Sequence, residues 1–337
     1  MKAAVFQALG EPLVVSNVED PKPKRDEVLL KICRCGICGS DLHMTAEPAF
    51  GISAGYVLGH EMSGEVIEAG PEACLKPGDQ VSVAPVRGCG DCAACRAGEP
   101  AWCASMQLIG GGYAEYAAIA ARQCRKLPVD ISAADGALAE PLAVALHGVQ
   151  RSGMKPGDRV LIVGAGAIGL AVAFWARRLG ATEVLLADLH SLQQERAMTL
   201  GATGFFLSGD GLDRRLRERC PGGPDLVFEC VGKPGLIDFC VSLVRPRGKV
   251  AVLGLCIAPD HMDSFRAISK EVDILMSVFF DMHEFARAID SLDKGEYAPQ
   301  RLISDTIGLE ATPTMFEALR TRTTQCKVLI DPFASAD

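Results

Sequence analysis

Over roughly the first 146 residues the apolar positions fall in short runs, broken every few residues by glycine and proline. Lys2 to Phe6, Leu13 to Asn17, Glu27 to Cys33, Gly64 to Glu68 and Gln80 to Val83 each have strand length, and the pattern predicts an irregular, loop-rich β domain. From Pro156 the texture changes. Val160 to Val163, Val184 to Ala187, Leu226 to Phe228 and Val250 to Leu253 are compact apolar runs separated by stretches of helical length, which predicts parallel β-α-β units. Gly78-Asp79 and Gly157-Asp158 precede apolar runs and read as turns. Beyond Glu284 the pattern predicts a helix over Phe285 to Leu292, a strand around Leu302, a helix near Thr314 to Leu319 and a last strand at Lys327 to Ile330. That tail is expected to return to the first domain. The chain shows no internal repeat and no low-complexity tract.

At 337 residues the chain exceeds the size at which one core keeps growing, so two domains are expected. A charged fraction of 23% beside a hydrophobic fraction of 49% excludes a disordered chain. The net charge of −8, with no cluster of Lys and Arg, opposes binding to a nucleic-acid backbone. The longest uncharged run, Val160 to Ala176, is shorter than the ~20 apolar residues needed to span a bilayer and holds three glycines, so no membrane partner is expected. Met1 to Val15 has no apolar core followed by a small-residue cleavage site, and Glu11 interrupts it, which points to a cytoplasmic protein. Four of the 14 cysteines fall between Cys89 and Cys103, which favours metal binding over disulfides.

Val160 to Val163 runs directly into Gly164-Ala165-Gly166-Ala167-Ile168-Gly169, and Leu170 to Leu179 continues as a helix. In this strand-turn-helix context Gly164 suits the tight turn, Gly166 the approach of a pyrophosphate, and Gly169 close helix-strand packing. The phosphates then face the helix N-terminus, with the backbone of Ala167 and Ile168 beside them. Asp188, about 20 residues on, ends the next strand, where a carboxylate accepts from ribose hydroxyls and repels a 2′-phosphate; NAD is favoured over NADP.

Cys89, Cys92, Cys95 and Cys103 offer four soft ligands in one segment, with Gly88, Gly90 and Gly98 freeing the backbone to wrap an ion. Four thiolates close a tetrahedral zinc shell, so this site is structural. An iron-sulfur cluster is the alternative. A nucleic-acid zinc ribbon would need basic residues, and only Arg87 and Arg96 stand near.

Cys38, His43, His60, Glu61 and Asp41 gather thiolate, imidazole and carboxylate groups in turns of the first domain. Each taken alone has a plainer reading: His60 as a hydrogen-bonded turn histidine, His43 as a surface one, Ser40 as a helix cap, Glu140 as a solvated acid. Cys35 with Cys38 also reads as a redox C-x-x-C pair. In order along the chain, G-I-C-G-S-D-L-H at Gly36 to His43, G-H-E at Gly59 to Glu61, the four-cysteine lobe, A-E-P-L-A-V-A-L-H-G at Ala139 to Gly148 and V-G-A-G-A-I-G at Val163 to Gly169 resemble the zinc-containing medium-chain dehydrogenases of the alcohol dehydrogenase superfamily. Glu140, where classical alcohol dehydrogenases carry a cysteine, resembles the branch of polyol, butanediol and threonine dehydrogenases.

The resemblance implies an α/β architecture: a GroES-like β-rich catalytic domain over residues 1–146, a Rossmann domain with a doubly wound parallel sheet over 147–281, and a return to the catalytic domain over 282–337, with the active site in the cleft between them. It implies two zinc ions per subunit, the second held by Cys38, His60 and Glu61, with Glu140 as a displaceable fourth ligand or the partner of a bound water. Such a Lewis acid stabilises an alkoxide that expels hydride onto the nicotinamide. Alcohol dehydrogenase, with its Cys₂His ligand set, is itself a standard example of catalytic zinc, so this metal chemistry is the family's own. Ser40 matches the family's relay hydroxyl, passing the proton towards His43, and Asp41 would orient a ligand. The family is dimeric or tetrameric, so a homodimer or homotetramer is expected.

Sorbitol-type enzymes of this branch place an arginine after a G-V-F strand; here Ser277-Val278-Phe279-Phe280 puts Phe280 at that position. Met44 replaces the tyrosine after the relay histidine, and Phe50 lies in the loop before Gly59. The pocket therefore reads as apolar, suited to a small or medium secondary alcohol or its ketone, with polyol or amino-alcohol substrates as the alternative. Two other readings are a zinc-free quinone or enoyl reductase, and a non-enzymatic zinc- and nucleotide-binding protein.

Overall fold

The computed structural model describes residues 1–292, 295, 297–321 and 324–334. Its first 140 residues are strand-rich. Strands β1 (Lys2–Val5) and β2 (Val14–Asn17) form an antiparallel pair. β3 (Glu27–Gly36) and β4 (Glu61–Ala69) lie antiparallel along almost their whole length, from Val28 opposite Ala69 to Gly36 opposite Glu61. Both run further than the hydrophobic runs Glu27 to Cys33 and Gly64 to Glu68 foretell, because pairing to a neighbour continues through the polar ends. On β3 the alternate residues Val28, Leu30 and Ile32 are fully buried, the period of two expected of a strand with one face on a core. β5 (Gln80–Val83) extends the sheet from β4. β6 (Val86–Arg87) and β7 (Gln107–Leu108) pair with each other and bracket the cysteine-rich segment. β8 (Tyr116–Ala120) pairs with β3, and β9 (Cys124–Lys126) with β5.

Six strands follow: β10 (Arg159–Val163), β11 (Glu183–Asp188), β12 (Gly204–Leu207), β13 (Leu226–Glu229), β14 (Lys249–Val252) and β15 (Asp273–Met276). They form one parallel sheet in the order β12-β11-β10-β13-β14-β15, the doubly wound order in which the direction of winding reverses between β10 and β13. The four inner strands are the apolar runs legible in the sequence. The two edges, β12 and β15, are half-exposed and lack that signature. The Ser277 to Phe280 segment is not a strand: β15 stops at Met276, and Phe279 takes a positive φ of 59°.

The chain then enters the helix Met282–Asp290, whose N-cap Asp281 accepts from the amides of His283 and Glu284 while Glu284 accepts from the Asp281 amide, a reciprocal capping box. β16 (Ile303–Gly308) begins at the residue after Leu302, and β17 (Lys327–Asp331) lies parallel to β16 and antiparallel to β3, with Ile330 opposite Cys35. By contacts the chain divides into one unit of Met1–Glu140, Asp281–Asp293 and Ile303–Asp337 and a second of Pro141–Phe280 and Lys294–Leu302. Among the described residues no helix is long and apolar enough to cross a membrane.

Within the second unit Asp225 ties the start of β10 to the turn before β14. Its carboxylate accepts from the Arg159 amide at 2.9 Å, the Arg159 guanidinium at 3.1 Å and the Arg245 guanidinium at 2.7 Å. Burial pushes its pKa up, but the hydrogen bonds from Arg159 and Arg245 prevail and depress it to about 2. A depressed carboxylate contributes stability above its unfolded value near ~3.9 and loses it as pH falls through the folded value. Asp225→Ala is therefore expected to lower stability by about 1–2 kcal/mol at pH 5 to 8, read as a lower urea midpoint. Coincident unfolding curves in that range would contradict the assignment.

Candidate active site and metal centres

The β3–β4 register brings the candidate ligands together. Gly36 pairs with Glu61, so the chain leaving β3 passes Cys38 just where the chain entering β4 carries His60. A side chain at Gly36 would collide with the Glu61 carboxylate, and one at Gly59, whose φ is 90°, with the Tyr113 ring. Cys38 is the N-cap of the helix Gly39–Met44, and Asp41 turns back to accept from its amide at 3.3 Å. The ligand atoms of Cys38, His60 and Glu61 all lie within 4.8 Å of one another.

His60 is buried, and its Nδ1 stands 3.1 Å from Asp41 Oδ1, which leaves Nε2 as the ring atom available to a metal. Burial opposes charge on this ring, but Asp41 and then Cys38 outweigh it and hold the imidazole well above its ordinary value. A metal ion held by His60 and Cys38 would bind them in their deprotonated forms, so its binding would be favoured as pH rises. For Asp41 burial again opposes charge, and His60 together with hydrogen bonds from His60, Tyr113 and the Cys38 amide keeps the carboxyl below its usual value.

Glu61 belongs to the cluster by distance, yet both its oxygens receive Lys327 Nζ, at 2.6 and 2.7 Å. Lys327 also donates to Ile37 O at 3.2 Å, and both charged side chains are buried. Glu140 does not join the three-residue cluster, although its charge couples to His60 and Glu61; burial is the main cause that raises its carboxyl to about 7. Ser40 donates to Cys38 Sγ at 3.2 Å. His43 sits three positions after Ser40 on the same short helix and is half-buried.

Between β6 and β7 the four sulfurs of Cys89, Cys92, Cys95 and Cys103 also lie within 4.8 Å of one another. Backbone amides point at the sulfurs: Cys89 N at Cys103 Sγ at 3.3 Å, Cys92 N at Cys89 Sγ at 3.4 Å and Cys95 N at Cys92 Sγ at 3.5 Å. The amides of Asp91 and Cys92 depress the Cys89 thiol to about 6. At Cys95 the Gly90 amide pulls down, but burial and the three neighbouring sulfurs win and push it up to about 11. Four sulfurs this close in a segment wrapped by its own amides have the donor chemistry of a closed thiolate shell. Arg122 donates to Gly88 O at 3.0 Å and Met282 N to Gly98 O at 2.8 Å, so the lobe is tied to the strand region and to the helix Met282–Asp290.

In the second unit Gly164 takes a φ of 100°, Gly166 caps the helix Ala167–Arg178, and a side chain at Gly169 would collide with the Gly164 carbonyl. A side chain at Gly166 would meet nothing, which leaves that face open beside the first-turn amides of Ala167, Ile168 and Gly169. Asp188 ends β11, and its carboxylate accepts from Ala165 N at 2.7 Å and His190 N at 3.1 Å. It braces the glycine turn, a role that chain spacing does not reveal.

Of the three pocket candidates, Met44 is buried and lines, with Tyr56, Leu58, Leu108 and Ile109, a narrow crevice reaching His60. Phe50 is part-exposed on the turn Pro48–Phe50 and does not line that crevice; Phe280 is buried in the second unit. Sequence reasoning missed Tyr113 and Lys327. Tyr113 donates to Asp41 Oδ2 at 2.6 Å. The available signal for Lys327 was a lysine opening an apolar strand, since a buried ammonium needs an anion.

Two family models match the chain: the alcohol dehydrogenase GroES-like domain over residues 24–129 and the zinc-binding dehydrogenase domain over residues 167–294. The sorbitol dehydrogenase of Bacillus subtilis is 30% identical over 98% of this chain and 97% of its own length. The (R,R)-butanediol dehydrogenase of the same organism is 29% identical over 98% of this chain and 100% of its own. A structure from Sinorhizobium meliloti 1021, described as a zinc-binding dehydrogenase bound to NADP, superposes with a TM-score of 0.88 at 32% identity, covering 98% of this chain and 99% of that one. With a GroES-like domain joined to a parallel dinucleotide-type sheet and relatives aligned end to end, this chain belongs to the zinc-containing medium-chain dehydrogenase family and is an oxidoreductase.

Proposed function

We propose that the protein is a zinc-dependent dehydrogenase that moves hydride between a secondary alcohol or its ketone and NAD, with two zinc ions per subunit. The reading is carried by the cluster of half-buried Cys38 with buried His60 and Glu61, in which Asp41 fixes the His60 ring. Cys38 and His60 would hold the catalytic ion, whose bound form supplies a Lewis acid for the substrate oxygen. Glu61, occupied by Lys327, would set the charge behind the site, and Glu140 would serve as a displaceable fourth ligand or as the partner of a bound water. Ser40 Oγ would take the hydroxyl proton and pass it towards His43 on the same helix. Cys89, Cys92, Cys95 and Cys103 would hold the second ion and stiffen their lobe.

The open face at Gly166 and the amides of Ala167, Ile168 and Gly169 would receive the pyrophosphate. Asp188 supports NAD over NADP by its charge, while the NADP bound to the Sinorhizobium relative supports the other cofactor. On the substrate, near-equal identity to a sorbitol and a butanediol dehydrogenase leaves side chains to decide. Phe280 in place of an arginine, together with Met44, favours few hydroxyls. The polyol reading rests on the sorbitol dehydrogenase match.

Three outcomes are expected. Cys38→Ser should lose one zinc and at least about a hundredfold in kcat while NAD still binds, whereas Cys92→Ser should mainly lower the melting temperature; equal activity and stability in both variants would refute the division of roles. Asp188→Ala should narrow the ratio of kcat/KM for NAD over NADP by about tenfold, and an unchanged ratio would remove Asp188 from cofactor selection. In a panel followed by reduced-cofactor absorbance, butanediol and alicyclic or aryl secondary alcohols should turn over faster than sorbitol or xylitol. The reverse order would install the polyol reading.

A further inference from the structure

Behind the proposed catalytic ligands stands a side chain to which the reaction assigns nothing. Tyr113 is fully buried, and its hydroxyl donates to Asp41 Oδ2 at 2.6 Å. The other carboxylate oxygen, Oδ1, is the one facing His60 Nδ1, at 3.1 Å. Asp41 is itself buried, so rotation of its carboxylate is resisted only by its protein partners. Of these the Cys38 amide, at 3.3 Å, is long, and the phenol is the short, charge-assisted one.

The same ring is fixed to the backbone that carries the histidine. Tyr113 N donates to Leu58 O at 3.0 Å, and any side chain at Gly59 would run into the Tyr113 ring. On its far side the ring packs edge-on against Phe316, with centroids 6.3 Å apart and planes at 77°. Burial, and then the charge of Asp41, hold the phenol well above its ordinary value, so it remains a donor at neutral pH.

We propose that Tyr113 is a positioning residue for the metal site: by fixing Asp41 Oδ2 it sets the orientation of Oδ1, and through it the ring of His60. This rests on the reading of Cys38 and His60 as metal ligands. A carboxylate directly behind a metal-binding histidine is worth about 10- to 100-fold in metal affinity or activity, and Tyr113, acting one step further back through Asp41, is expected at the lower end of that range. Tyr113→Phe deletes the oxygen and keeps the ring that packs under Gly59 and on Phe316.

The test follows zinc release from the holoenzyme to a chromophoric chelator, with Tyr116→Phe as control. In Tyr113→Phe the ion at Cys38 and His60 is expected to be lost about tenfold faster, while the ion of the four-cysteine lobe leaves at the wild-type rate and the melting temperature of the holoenzyme falls by only a few degrees. In an Asp41→Asn background the same substitution should have little further effect, because its action runs through that carboxylate. Equal release rates for wild type and Tyr113→Phe, or an undiminished effect in the Asp41→Asn background, would overturn the assignment. A wild-type protein holding one ion, in the lobe alone, would instead overturn the reading of the site on which the assignment rests.

Discussion

Buried charge must be paired, and that constraint organises the first unit. Asp41, His60, Glu61 and Lys327 are all nearly sealed from water, and each is tolerable only because another is there. Asp41 answers His60, and Glu61 answers Lys327. A lone member of either pair would cost several kcal/mol, roughly the scale of a domain's whole stability, so neither pair survives in a misregistered sheet. The β3–β4 pairing at Gly36 and Glu61 and the β3–β17 pairing at Cys35 and Ile330 therefore fix the fold and the site together.

Local and long-range assembly separate the two sulfur-bearing centres. The lobe gathers four thiols between Cys89 and Cys103 and turns its own amides onto them, so its geometry is almost entirely local. The other cluster draws on a helix N-cap, a strand entry and, behind them, a strand whose Lys327 is 266 residues from Glu61 in sequence. A closed shell of four like donors suits an ion that only stiffens; a mixed set with Glu61 already engaged and Glu140 standing off suits one that must exchange a ligand. Burial raises the Glu140 carboxyl to about 7, which places its change of charge near neutral pH.

Asp188 shows how one side chain serves two levels of the structure. It bonds the Ala165 amide and so stiffens the turn on which the pyrophosphate would rest, and in the proposed reading its charge at the end of β11 would bear on the ribose. A carboxylate bound into the turn is held in place before any ligand arrives, which lowers the ordering cost of binding.

The order of motifs from Gly36 to Gly169, the four inner parallel strands and the four-cysteine lobe were legible in the sequence because each rests on local spacing: apolar runs of strand length, glycines at a tight turn, thiols close along the chain. The edge strands β12 and β15 were not, since a half-exposed strand has no apolar run to announce it. Nor did the pattern show that Ser277 to Phe280 leaves the sheet, because two aromatic residues after a valine look like a strand until backbone geometry turns Phe279 to a positive φ. Tertiary structure alone assigned Lys327 to Glu61 and Tyr113 to Asp41. Partner choice between residues far apart in sequence is decided by which strands pair and in what register, and a linear pattern carries the need for a partner without its identity.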